Sequence, residues 1–194
     1  MKDNKRQIQK DATRELILQS AYNVYSNKGF NASTNMIAKE AHVSHGNIFV
    51  HFPTLEDLQM CVLERFGRDI NTQLHELSEN NNSLEDILYA HIEILIKHQN
   101  FYRRLISESS LLPEKTKYIY ISIQSSVSFH LSQVIDKYQN EKKIKMLPIH
   151  FIFNLWLGLL HYYISNQDLF APDGDVLSRY KKELVSNFMD LLAI

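Results

Sequence analysis

The chain is 194 residues long, 44% hydrophobic and 22% charged, which excludes disorder and allows one large domain or two small ones sharing a core. Its single cysteine, Cys61, excludes an internal disulfide and fits a reducing, cytoplasmic compartment. The net charge of −1 speaks against a polyanionic partner until it is divided, because residues 1–54 hold seven Lys or Arg against four acids, giving +3 and leaving −4 for the remainder.

Met1 to Lys10 reads as a mobile basic arm carrying Lys2, Lys5, Arg6 and Lys10, with no apolar stretch of a secretion signal after it. The spacing of Ile17, Ala21, Val24 and Tyr25 predicts a first helix from Asp11 to Asn27, closed by Gly29, with Arg14 in its opening turn near a phosphate. From Ser33 to Leu58 the pattern is that of two short helices joined by a tight turn and followed by a third. Ser33 or Thr34 caps the first, and Ile37, Ala38 and Ala41 face inward. His42-Val43-Ser44 makes the corner, with Val43 as its plug and Ser44 as the next cap. The second helix, His45 to about Phe52, buries Ile48 and Phe52 and leaves His45, Gly46, Asn47, Phe49, Val50 and His51 outward. A face with Asn, two His and an aromatic but no carboxylate suits a groove of DNA. Thr54 with Asp57 then caps a helix from Leu55 to Glu79 whose stripe is Leu58, Val62, Phe66, Ile70 and Leu74.

Residues 17–58 resemble the N-terminal DNA-binding region of the TetR family of bacterial transcriptional regulators. The resemblance rests on Ile17, Ala21, Val24, Tyr25, Gly29, Phe30, Thr34, Ile37, Ala38, Ala41, Val43, Ser44, Gly46, Ile48, Phe49, His51, Phe52 and Leu58. Two positions depart from the family pattern. His42 stands where Gly is usual, in a turn that can require positive φ, and Leu55 stands where a phosphate-contacting Lys is usual. The resemblance implies a homodimer whose last two helices form a four-helix bundle with those of its partner. It also implies repression relieved by a small effector.

Downstream, Glu79 to Ser83 reads as a polar linker, with Ser83 and Asp86 capping a helix to His98 that carries His91 and His98 within its apolar arc. A short helix spans Asn100 to Ser110, and Pro113 opens a long one to about Tyr138 with Tyr120, Ile123, Val127, Leu131 and Val134 inward. Met146 to Gln167 holds no charged residue, long enough to cross a bilayer. His150, Asn154, Gly158, His161 and Ser165 nevertheless share one narrow stripe of it, which points to a helix buried in protein and to no membrane partner. A turn from Asn166 to Asp175 precedes a last helix to about Leu192, with Leu177, Tyr180, Leu184, Phe188 and Leu191 on one face.

The expected fold is therefore all-α: a three-helix helix-turn-helix domain with its basic arm at 1–54, and a six-helix effector-binding and dimerisation domain at 55–194. The expected DNA-binding set is Arg14, Ser33, Thr34, Asn35, His45, Gly46, Asn47, Phe49, Val50 and His51, acting on a palindromic double-stranded operator with half-sites about 34–36 Å apart. An unknown apolar or aromatic small-molecule effector is expected among His91, His98, Tyr102, Tyr118, Phe129, Trp156 and Tyr162. Phe153, Trp156, Leu160, Leu177, Leu184, Phe188 and Leu191 are expected at the homodimer interface. No cofactor or metal is implied. Two competing readings are a helical enzyme using the inward histidines with Glu108, and an adaptor that meets protein through its helix-turn-helix; salt-dependent DNA binding separates both from a regulator.

Overall fold

The structure, a computed structural model, describes residues 2–79 and 83–194. Helices make up the chain and no strand occurs among the described residues. In order they are α1 (Lys2–Lys28), α2 (Thr34–Glu40), α3 (His45–His51), α4 (Leu55–Glu79), α5 (Leu84–Lys97), α6 (Gln99–Glu108) followed by a 3-10 turn (Ser109–Leu111), α7 (Glu114–Asn140), α8 (Ile149–Ser165), α9 (Gln167–Phe170) and α10 (Val176–Leu192).

Two expectations need correction. The basic segment expected as a mobile arm is the start of α1, which begins at Lys2. Lys, Arg and Gln are good helix formers, so the segment extends the helix although it offers no apolar stripe. The connection expected between Asn166 and Asp175 contains the four-residue α9, so the described residues hold ten α-helices rather than nine. The expected linker at 79–83 falls largely outside the described residues.

By packing, the chain forms two compact units: Met1–Phe66 with Asn100–Tyr120, and Gly67–Gln99 with Ile121–Ile194. α4 and α7 each give their first part to one unit and the rest to the other.

In the first unit, Ile17, Ala21 and Tyr25 of α1 are buried with Ile37 and Ala38 of α2, Ile48 of α3 and Leu58 of α4, and α2 packs on both α1 and α3. The corner between α2 and α3 is set by local hydrogen bonds. Val43 N–H reaches the Ala38 carbonyl at 3.0 Å and His42 N–H the Lys39 carbonyl at 3.2 Å, while His42 sits at φ +53°. This pairing closes a helix through a left-handed residue and is easiest for Gly; His42 takes the conformation at some cost in strain. Thr54 and Asp57 form a reciprocal cap at the start of α4, with Asp57 N–H on Thr54 Oγ1 at 3.0 Å and Thr54 N–H on Asp57 Oδ2 at 3.0 Å.

In the second unit, α10 packs on α5 and α8, burying Leu88, Ile92 and Leu95 of α5 with Leu160 and Ile164 of α8 and Val185 and Leu192 of α10. Ser83 and Asp86 form the expected capping box. Asp175 accepts from Leu177 N–H at 2.9 Å and Ser178 N–H at 3.1 Å. Gly67 of α4 lets α7 come close, since a Cβ there would lie 2.7 Å from Cγ1 of Ile123. Among the described residues no helix is long and apolar enough to cross a membrane.

Candidate nucleic-acid interface

The candidate reader is α3, and its position depends on both of its ends. At its N-terminus Ser44 Oγ accepts from Asn47 N–H at 3.3 Å, which satisfies one of the free donors of the opening turn. At its C-terminus Phe52 is buried and Pro53 stops the helix. Ile48, at 1% exposure, anchors the inner face. The outer face carries no acidic residue.

Structure places the sequence-predicted residues on this outer face and beside it. Val50 is 67% and Phe49 39% exposed; His45 and Gly46 are exposed, while Asn47 and His51 are half-buried. A Cβ on Gly46 would meet nothing within 4 Å, so the helix surface is open there to close approach. Ser33 and Asn35 are exposed and Thr34 is half-buried. Ser33 holds the N-cap position of α2 but its side chain accepts no cap hydrogen bond. Thr34 is engaged elsewhere: its Oγ1 lies 2.7 Å from His45 Nε2. The first residues of α2 and α3 are thus tied to each other, and His45 in turn sets its edge against the Phe49 ring at 5.1 Å. Sequence reasoning names both partners without their bond, because nothing in helical periodicity links positions eleven residues apart.

A second feature escaped sequence reasoning. The Arg14 guanidinium lies over the Phe52 ring at 4.8 Å and donates to Cys61 Sγ at 3.3 Å. This holds Arg14 of α1 against the end of α3 and the first turns of α4. Burial lowers the pKa of His51, and the positive charges of Lys10 and Arg14 lower it further, against a smaller opposing effect of Asp11. Lys10, Arg14 and His51 therefore gather positive or proton-donating groups at one end of the reader. His51 Nδ1 is buried and has no hydrogen-bond partner, a group that a hydrogen-bonding ligand atom or water would satisfy. The signal for this cluster in the sequence is the i, i+4 spacing of Lys10 and Arg14, which puts them on one face of α1.

The expected effector residues are divided between the two units. Tyr102 and Tyr118 belong to the first unit, whereas His91, His98, Phe129, Trp156 and Tyr162 belong to the second. Tyr118, Phe129 and Tyr162 are 62%, 59% and 58% exposed; their positions in the helical stripes fall on the solvent side. His91 and Trp156 do meet: Trp156 Nε1 donates to His91 Nδ1 at 3.1 Å, which leaves the proton of neutral His91 on Nε2. Burial, reinforced by His161, pushes His91 down to about 4, and burial does the same to His161. His98 is half-buried and is also lowered by burial. Among the described residues no group of three or more His, Cys, Asp and Glu is arranged to hold a metal ion.

The expected interface residues fall mostly inside the single chain. Phe153, Trp156, Leu160, Leu177, Leu184 and Phe188 are all buried within the single chain, at 8% exposure or less, and Leu191 alone of the seven is exposed, at 54%. Their apolar periodicity is satisfied by α5, α8 and α10 packing on one another. The side of α8 left open carries Phe151, Asn154, Gly158 and Tyr162.

Residues 17–59 match the family of bacterial regulatory proteins described as tetR. The chain is 25% identical over 178 residues to the negative transcriptional regulator IcaR of the biofilm operon icaADBC in Staphylococcus aureus, covering 89% of this chain and 95% of that protein. It is 26% identical over 131 residues to the HTH-type transcriptional regulator YuxN of Bacillus subtilis, covering 64% of this chain and 45% of that one. A TetR-family transcriptional regulator from Agrobacterium tumefaciens superposes with a TM-score of 0.79 over 95% of this chain and all of the other at 18% identity, a likeness of fold.

Proposed function

Because the chain belongs to the TetR family and is a transcriptional regulator rather than an enzyme, we propose that it binds a palindromic DNA operator as a homodimer, acts as a repressor, and is released by a small apolar or aromatic effector. The observation that carries the DNA reading is α3: an acid-free outer face with Gly46, Asn47 and Val50 open to base edges, flanked by Arg14, Thr34, His45 and His51 for the sugar-phosphate. Asn suits adenine through a bidentate pair, and Gly46 lets the backbone approach. Repression is supported by the likeness to IcaR, a negative transcriptional regulator.

A second copy would meet the open side of α8. Gly158 lies in the middle of that side with nothing within 4 Å of its Cβ position, between Phe151 and Tyr162, which are 46% and 58% exposed. A small residue between apolar ones supports close helix contact, and two-fold pairing supports an inverted-repeat operator. For the effector, the absence of Lys, Arg, Asp and Glu along the whole of α8 favours an uncharged apolar or aromatic molecule over an anion. Effector occupancy would change the spacing of the two readers, and its effect is bounded by its preference for one state.

The experiment is a salt-dependent titration of duplex DNA by Asn47→Ala and Arg14→Ala. Asn47→Ala should relax preference at one base position by about 1–3 kcal/mol. Arg14→Ala should weaken all sequences alike and flatten the salt slope by about one. Unchanged binding by both variants would remove α3 from the groove.

A further inference from the structure

Both backbone polar groups of Phe30, in the connection from α1 to α2, are taken by side chains. Its N–H donates to Oε2 of Glu108 at 2.7 Å, and its carbonyl accepts from Nε2 of Gln59 at 3.1 Å. Gly29 makes room for the first of these. It sits at φ +85°, and a Cβ there would lie 2.4 Å from Oε1 and 2.8 Å from Oε2 of Glu108. Arg104, one turn earlier on α6, donates from Nη2 to the Asn27 carbonyl at 3.4 Å and stands 3.7 Å from Glu108 Oε1. The Phe30 ring stacks on Tyr25 at 5.0 Å and tilts against Phe101 of α6 at 5.5 Å.

The placement is electrostatically costly. A carboxylate at the C-terminal end of α1 faces the negative end of the helix dipole, with the Arg104 guanidinium beside it. What the carboxylate supplies is an acceptor for a peptide N–H that belongs to no helix, at the point where the chain turns toward the reader. Ala32 N–H bonds the Gly29 carbonyl at 3.2 Å and Ser33 does not cap α2 with its side chain, so Phe30 is the residue at which side chains from outside the connection hold the backbone that leads into α2 at Thr34. From Thr34 the bond to His45 passes that position on to α3.

We propose that Glu108 is a positioning residue for DNA binding: carried on α6, its carboxylate holds the Phe30 peptide and so sets the angle at which α3 meets the groove. This rests on the reading of α3 as the recognition helix.

The probe is a duplex selected from a random pool by the unaltered chain, set beside a scrambled duplex of the same length. Glu108→Ala, at a temperature where circular dichroism shows it folded, should bind the selected duplex about tenfold more weakly and the scrambled duplex unchanged. Glu108→Gln keeps an oxygen that can accept from Phe30 N–H and should recover to within about threefold. Should Glu108→Ala fail to fold, Glu108→Asp, one methylene too short to reach, replaces it with the same expected loss. Selected-duplex affinity unchanged in the folded Ala or Asp variant would overturn the proposal, as would an equal loss in Glu108→Gln. If α3 is not the reader, the failure looks different: the unaltered chain then enriches no sequence, and the proposal falls with that reading.

Discussion

His45 and His51 in the first unit lie beside a surface that is open to a partner, whereas His91 and His161 in the second are largely withdrawn from solvent and held neutral. His45 is exposed and already carries a hydroxyl partner in Thr34, and His51 keeps a buried nitrogen without one. His91 has 1% exposure and accepts from Trp156 inside the core. The same residue type thus borders an open helix face in one place and packs inside the core in the other. Substitutions should separate accordingly: those in the second unit should act on folding, and those on α3 on DNA with little effect on folding.

The largest effect should come from Trp156→Ala. It removes a ring that packs on Phe188 at 4.9 Å and leaves His91 Nδ1 without its donor, at a cost of about 3–5 kcal/mol in denaturant unfolding. A cost under about 1 kcal/mol would mean that this pair is not part of the cooperative core.

Acid should come next. His91 has a folded pKa of about 4 against an ordinary 6.5, so between those values the unfolded chain binds a proton that the folded chain excludes. Stability is then complete above pH 6.5 and falls as the pH drops toward 4, by on the order of 3 kcal/mol. His161, also at about 4, pulls in the same direction, and because the two interact their losses do not simply add. Unfolding of His91→Gln between pH 7 and pH 4.5 should show a shallower pH slope than the unaltered chain. Equal slopes would contradict the burial of this imidazole.

Smaller effects are expected around α3. Ser44→Ala should lower stability by about 1 kcal/mol through loss of the cap, measurable as a shift in the unfolding midpoint. His42→Gly should raise it by about 0.5–1 kcal/mol, since relief of the strained backbone outweighs the added freedom of the unfolded chain. A loss there would show that the His42 side chain contributes more than its backbone costs.

What the sequence makes legible is local. Ser44, Thr54 with Asp57, Ser83 with Asp86, and Asp175 all cap the helices expected of them, because a cap acts over two or three residues. The stripes Leu58, Val62, Phe66, Ile70 and Leu74 on α4 and Tyr120, Ile123, Val127, Leu131 and Val134 on α7 are buried as their spacing predicts. Periodicity is silent on what covers a stripe. Phe153, Leu160, Leu177 and Phe188 are apolar at helical spacing, and inside the single chain they are covered by neighbouring helices. The start of α1 was hidden for the opposite reason, since a polar, solvated helix has no stripe to read. Partners far apart in sequence were hidden too: Glu108 and Phe30 are 78 residues apart, and Trp156 and His91 are 65 apart.

Selecting duplexes from a fully random pool with the purified chain tests the central claim most directly. The account predicts an inverted repeat whose half-site centres lie about 10 base pairs apart or a multiple of that, with Asn47→Ala relaxing the same position in each half. Enrichment of no sequence, or of a single unrepeated site that Asn47→Ala reads unchanged, would contradict it.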